Sequence, residues 1–204
     1  MSWPALESDP EIFTNYFRNL GLSHNWEFAE VFSMDEEVEG SAVVLAYRSL
    51  SGNPPFNGTE FHSRYYIKQV NQLDMACGLL AGLHSIFNSD AELAPESILH
   101  RVKSGIEGKS PEEAAQCLLS NHELHSAHSA YAAEGQSNLT EAPDHHFISV
   151  LPGQVLYDGM KNSPIVLGED GGFSLKFFQT VQNAIAAGTV GEDISLMVFR
   201  RVVN

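Results

Sequence analysis

Two stretches of this chain carry residue types that could do chemistry. In the first, an aromatic and β-branched run, Tyr65-Tyr66-Ile67-Lys68-Gln69-Val70, breaks at Asn71, Gln72 and Asp74, and Leu79, Leu80, Leu83, Ile86 and Phe87 then recur at helical spacing. Asp74 can cap that helix, which places Cys77 in its first turn. There, unpaired amides and the positive end of the helix dipole favour thiolate over thiol, and thiolate is the nucleophilic form. The same position, beside Ala76 and Gly78, also suits a small core residue, so both readings stand. In the second stretch, His146 to Leu151 alternates as a strand, Pro152-Gly153-Gln154 turns the chain, and Val155 to Asp158 returns as a hairpin partner. His145 competes with His146, because successive strand residues point to opposite faces. His122, His125 and His128 recur every three residues and raise a metal reading. Without further cysteines or a His-Glu-X-X-His order they read as a solvated or packed face. Cys117, inside a helical stretch, reads as core packing.

The elements that must hold these residues follow from local signals. A helix is expected from about Asp9 or Pro10 to Asn19, with Pro10 at an allowed early position, Gly21 as the stop, and Ile12, Phe13, Tyr16, Phe17 and Leu20 on its apolar face. Trp26 to Phe32 reads as a strand, Met34 to Glu37 as a polar turn or short helix, and Ser41 to Tyr47 as a central strand. Gly52 to Pro55 breaks the chain before a further strand leading to Cys77. Pro95 to Gly135 is helical in spacing, with a start at Ser110-Pro111-Glu112-Glu113. Glu134 to Pro143 reads as a loop, Phe173 to Ala187 as a helix and Ile194 to Val202 as a closing strand. Alternating helices and short strands indicate an α/β class. A length of 204 residues with 43% hydrophobic content makes a single domain, 1–204, the simplest expectation. Eleven basic against 26 acidic residues give a net charge of −15, which argues against nucleic acid and anionic membranes and favours a basic partner. With two cysteines, no signal-like start and no span of about 20 apolar residues, the chain reads as a cytoplasmic protein in which the Asn57 and Asn138 glycosylation matches are incidental.

The stretch Ile67-Lys68-Gln69-Val70 followed by Ala76-Cys77-Gly78, Leu83-His84-Ser85-Ile86 and Asn88 resembles the nucleophile segment of the ubiquitin C-terminal hydrolases, papain-like thiol deubiquitinases. Trp3 to Pro10, Leu20-Gly21, Trp26-Glu27-Phe28, Met34-Asp35, Ser110 to Glu113, Glu134-Gly135-Gln136, His146-Phe147-Ile148 and Asp158-Gly159 follow in the family's order, so the resemblance spans nearly the whole chain. It implies helices around a largely antiparallel sheet, a knotted backbone and a crossover segment at about 132–143 above the cleft. It implies that Cys77 attacks the carbonyl after the last glycine of ubiquitin or a related modifier, that His146 moves the proton, and that Asp158 orients the ring, with no cofactor or metal and a monomeric enzyme. The family places an oxyanion glutamine six residues before the cysteine. Here Asn71 holds that position, Gln69 lies eight before and Gln72 five before. The unbroken match of the preceding run favours Gln69, with Gln72 as the alternative. Met75 stands where the family has asparagine, two before the nucleophile. By analogy Glu7, Asp9, Asp35 and Glu36 are expected to meet basic residues of the modifier. A ubiquitin-binding module with weakened catalysis and a metal-dependent hydrolase built on His122, His125 and His128 remain as alternatives.

Overall fold

The computed structural model describes residues 3–51, 55–134, 145–168 and 172–203. The first helix, α1, spans Pro10–Asn19; the Asp9 carboxylate accepts from the amides of Glu11 and Ile12, and Gly21, at φ +115°, ends it. Strands β1 (Trp26–Glu30) and β2 (Ala42–Ser49) follow, then the two-residue β3 (Thr59–Glu60). Helix α2 runs over Cys77–Phe87, and the expected helical region resolves into α3 (Ile98–Ile106), α4 (Pro111–Leu119) and α5 (His122–Glu134). At the start of α4, Ser110 and Glu113 cap each other's backbone amides reciprocally. Strands β4 (His146–Leu151), β5 (Val155–Tyr157) and β6 (Ile165–Val166), helix α6 (Ser174–Ala186) and strand β7 (Val190–Arg201) complete the described elements.

The strands form one sheet in the order β1-β7-β2-β4-β5-β6-β3, and every pairing among them is antiparallel. Strand β2 lies near its centre and is buried on both faces. Ala42, Val44 and Ala46 face the core built by α1, α2 and the helices after it, whereas Val43, Leu45 and Tyr47 face Phe177, Phe178 and Val181 of α6. Burying each such large apolar side chain contributes about 1.5–3 kcal/mol. All of α2 is buried, and Gly82 explains how closely it packs: a Cβ there would lie 2.1 Å from the ring of Phe17 on α1.

Three expectations need correction. The run 65–70 joins no strand ladder; its amides bond sideways instead, Ile67 to the ring of His84, Lys68 to the Pro111 carbonyl and Gln69 to the Gly159 carbonyl. Asp74 does not cap α2, because its carboxylate takes the neighbouring Met75 amide, and Ala76 precedes the helix with no side-chain cap. The closing strand starts at Val190, four residues before the expected Ile194, where pairing with Ser49 extends the ladder past a bulge. Most of the expected crossover segment, residues 135–143, lies outside the described residues.

Candidate active site

Cys77 is the first residue of α2, so the amides of the opening turn have no partner inside the helix. Packing brings this turn against the start of β4: a Cβ on Gly78 would sit 3.7 Å from the Phe147 ring. His146, the residue before Phe147, is thereby brought up to Cys77, which raises the proton affinity of its ring and is only 4% exposed. The other ring position is taken: Nε2 lies 2.7 Å from Oδ1 of Asp158, immediately beyond β5. The hairpin register, Ser149 opposite Tyr157, carries Asp158 to the His146 end of β4. Asp158 is held from a second side, where its Oδ1 accepts the Met160 amide at 3.0 Å.

The electrostatics of the trio are set by competition. Burial disfavours a charged His146 ring, but hydrogen bonds to Asp158 and Cys77 and their negative charge outweigh it and push the ring up to about 9. Burial likewise opposes a charged Asp158, yet the bond to His146, its positive charge and the Met160 amide hold the carboxyl below its usual range. In its charged form the ring donates from both nitrogens, one to the carboxylate and one to the sulfur. Tyr47 of β2 packs edge-on to the ring at 5.9 Å; burial, then the nearby Asp158 and Cys77, push its phenol up and keep it neutral. His145 points away, with Nε2 3.2 Å from the Asp193 carbonyl oxygen, as strand alternation requires.

Residues 3–187 match the family described as ubiquitin carboxyl-terminal hydrolase, family 1. The chain belongs to that family. It is a family of cysteine proteases. The chain is similar to ubiquitin carboxyl-terminal hydrolase isozyme L1 of Sus scrofa, at 29% identity over 165 residues, covering 72% of this chain and 73% of the relative. It is also similar to a ubiquitin carboxyl-terminal hydrolase of Aplysia californica, at 29% over 188 residues, covering 81% and 86%. Among solved structures, the UCH37 catalytic domain of Trichinella spiralis, bound to ubiquitin vinyl methyl ester, superposes with a TM-score of 0.78 at 19% identity. All of this chain and 97% of that one are covered, which shows a shared fold.

Of the two glutamines weighed for the family's oxyanion position, the structure brings Gln69 to the trio's side. Its backbone amide donates to the Gly159 carbonyl at 2.8 Å, and a Cβ on Gly159 would lie 2.9 Å from its own Cβ. Gln69 Nε2 donates to the Asp74 carbonyl at 2.7 Å, while its Oε1 is buried without a partner. Gln72 is exposed, in a short 3-10 turn over Asn71–Leu73 that takes up the longer connection to Cys77; Asn71 is exposed there too.

The four acids are placed differently. Asp9 caps α1, so its carboxylate is already committed to amides of its own chain, and Glu7 is half-buried beside it. Asp35 and Glu36 are exposed on the segment after β1. Both segments are tied to neighbouring residues of β7, through Ser8 to the Ser195 hydroxyl at 2.9 Å and through the Val31 amide to the Leu196 carbonyl at 3.0 Å. The metal alternative finds no support in the ring contacts of α5. His128 is buried, with Nε2 2.7 Å from the Pro4 carbonyl oxygen and Nδ1 3.2 Å from the Tyr16 hydroxyl. His125 lies edge-on to Trp3, and His122 is exposed. Among the described residues no group of three or more His, Cys, Asp or Glu could hold a metal ion. Cys117 is half-buried and packs at the margin of the core.

Sequence reasoning missed His84, Tyr66 and Lys68 as parts of the site's frame. His84 is buried and stacks on Tyr66 at 5.2 Å, and burial pushes its ring down to about 3 so that it stays neutral. Lys68 and His84 stand in the stretch that resembles the family and Tyr66 just before it, but nothing in their spacing points to a partner 92 positions away, such as Asp158 for Tyr66.

Proposed function

We propose that this chain hydrolyses bonds at the C-terminal glycine of ubiquitin or a related modifier, with Cys77 as nucleophile, His146 as acid and base, and Asp158 as the residue that orients and charges the ring. The observation that carries this reading is the ring of His146 held between the Asp158 carboxylate and the Cys77 thiol at the start of a helix. Proton transfer from sulfur to ring gives a thiolate and an imidazolium. The thiolate attacks the glycine carbonyl carbon, a C–S bond forms, and the carbonyl oxygen takes up negative charge next to the free amides of α2. The imidazolium then gives its proton to the leaving amine as the C–N bond breaks. Water, deprotonated by His146, attacks the thioester and releases the free carboxylate and the thiol. We assign the side-chain donor to the oxyanion to Gln69, supported by its place against Gly159, since Nε2 has a second N–H beyond the one on the Asp74 carbonyl.

Every group in this reading comes from one chain, so residues 1–204 suffice as one catalytic unit and a monomer is the proposed form, with no cofactor in any step. The net charge of −15 suits a basic tail on the modifier, with Glu7, Asp35 and Glu36 as its proposed contacts. The cytoplasm is the proposed location. Both cysteines are free, and among the described residues no helix is long and apolar enough to cross a membrane. Short peptides and small amines are the proposed leaving groups, on the family resemblance.

Ubiquitin vinyl methyl ester, the electrophile bound in the Trichinella UCH37 structures, tests the reading directly. The expected result is one covalent adduct on Cys77 that Cys77→Ala abolishes. An adduct that survives Cys77→Ala, or none with the natural chain, overturns it. A binding module with weakened catalysis is the second reading, favoured by the Gln69 side-chain Nε2 donating to the Asp74 carbonyl. It is distinguished by tight ubiquitin binding with negligible turnover of a fluorogenic C-terminal amide. Cleavage of folded diubiquitin as fast as that amide refutes the leaving-group assignment.

A further inference from the structure

The loop that carries Asp158 is neither helix nor strand, yet its carbonyls are held by one short stretch of chain. Tyr66 donates from its hydroxyl to the Asp158 carbonyl at 2.6 Å and lies 2.7 Å from that of Lys161. The Gln69 amide donates to the Gly159 carbonyl at 2.8 Å. Lys68 Nζ donates to the carbonyls of Met160 at 3.2 Å and Lys161 at 2.8 Å, and to Oδ1 of Asn162 at 2.8 Å. Four consecutive carbonyls, 158 to 161, thus accept from residues 66 to 69. That stretch is free to bond sideways because it joins no ladder. It is itself anchored on the helix that begins with Cys77: the Ile67 amide donates to Nε2 of His84 at 3.0 Å, and Tyr66 lies flat on the same ring.

We propose that Tyr66 and Lys68 are positioning residues, a clamp that joins α2 to the 158–162 loop and so fixes the Asp158 carboxylate on His146. The inference rests on the catalytic reading above and extends it to residues that touch no reacting atom. The physical reason is one of freedom. Asp158 sits two residues from an exposed Met160, and without the clamp the loop would keep the Met160 amide on Oδ1, the Lys161 amide on the Asp158 carbonyl and the Gln69 amide on the Gly159 carbonyl, but would lose the donors to the Met160 and Lys161 carbonyls and the side-chain donor to that of Asp158. A carboxylate that drifts by a fraction of an ångström weakens a charge-assisted bond of 2.7 Å in a buried site far more than it would in water. Both donors have surroundings that suit the task. Tyr66 is 5% exposed, and burial, with Asp158 and Glu112 nearby, pushes its phenol up, so it donates as a neutral hydroxyl throughout the working range. Lys68 has a point charge with three donors and three oxygens to satisfy them.

The charged and titratable groups facing the His146–Asp158 pair are Cys77 and His84 on α2, Tyr47 on β2, Tyr66, and Lys161 in the loop itself. The two tyrosines and His84 stay neutral between about pH 5 and 9 for the reasons already given. A change in the His146 titration therefore reports the pair.

The experiment measures His146 ring titration by NMR in the natural chain, in Tyr66→Phe, which keeps the stacked ring, in Lys68→Met, and in Lys68→Arg. It also measures kcat and KM on a fluorogenic ubiquitin C-terminal amide, per site counted with ubiquitin vinyl methyl ester. Expected are a fall of about one pH unit in the His146 titration and about a tenfold loss of kcat with KM little changed, for Tyr66→Phe and Lys68→Met. Lys68→Arg, still able to donate to the carbonyls, is expected to stay close to the natural chain. Variants that melt earlier but keep the natural titration and kcat per site overturn the clamp and leave only a structural role. Failure of the probe to label Cys77 in the natural chain would instead sink the catalytic reading, while the titrations would still decide whether the clamp holds the pair.

Discussion

Replacing Asp158 by Asn removes one charge while leaving an oxygen in place to accept from His146 and from the Met160 amide. His146 rises from its ordinary value of 6.5 to about 9 although burial pulls the other way. A rise of that size corresponds to about 3 kcal/mol in favour of the charged ring. If the Asp158→Asn change returns the ring to about 6.5, the charged fraction at pH 7.5 drops from about 97% to about 10%. Turnover of a fluorogenic ubiquitin C-terminal amide should then fall about tenfold from this alone, and toward about 10²-fold as the ring loses its preferred orientation. The alkaline limb of the kcat profile should move down from about pH 9. Stability follows the same groups. His146 is raised, so its contribution is complete below pH 6.5 and is lost as pH rises through about 9. Asp158 is lowered, so its contribution is present above 3.8 and is lost as pH falls through its lower folded value. The Tm deficit of Asp158→Asn should therefore be widest between about pH 5 and 6.5 and close above about 9. An alkaline limb that stays near 9 in the variant, or a kcat equal to that of the natural chain, would refute this account of how the ring is charged.

Gln69→Ala should lower kcat about 10²–10³-fold and Gln72→Ala should leave it nearly unchanged, as read by steady-state kinetics on folded protein; the reverse order would move the oxyanion donor to the exposed turn. Gly159→Ala, whose Cβ would meet Gln69 Cβ at 2.9 Å and Leu80 Cδ1 at 3.2 Å, should depress kcat more than Tm, because it displaces Gln69 from the Asp158 loop; a kcat equal to that of the natural chain would show that Gln69 need not sit there. His84 and His128 are pushed by burial down to about 3 and about 4, so the unfolded chain binds more protons than the folded one below pH 6.5 and stability falls as pH falls. The pair should give a slope of about 2 kcal/mol per pH unit between about pH 5.5 and 4.5 in denaturant titrations, and His128→Gln should reduce it by about half. An unchanged slope in that variant would mean that His128 is protonated in the fold.

Local signals in the sequence settled the elements they lie in. Pro10 and Gly21 mark α1 because a fixed φ and a left-handed stop act within a few residues of themselves. The apolar run of β2 and the Pro152-Gly153-Gln154 turn did the same for the central strand and the hairpin that brings Asp158 toward His146. Strand alternation put His146 and His145 on opposite faces, and the resemblance of His146-Phe147-Ile148 to the family's pattern picked His146. Cys77 was legible as a first-turn residue even though Asp74 was the wrong cap, since the apolar spacing of Leu79, Leu80 and Leu83 starts the helix regardless. Tertiary structure alone decided the rest. The run 65–70 has the composition of a strand, but whether its amides find a ladder or the His84 ring depends on what docks beside it. Asp9 and Asp35 look alike as acids, and only the fold commits the first to α1 and leaves the second exposed. Gln69 and Gln72 differ by three positions in the sequence, and packing against Gly159 separates them. The charge on His146 comes chiefly from a partner 12 residues away, against burial, and the neutrality of His84 comes from burial. Caps, turns and periodicity act over a few residues of chain, whereas hydrogen-bond partners and proton affinities are set by whatever the fold brings within about 3–6 Å, and sequence distance does not encode that.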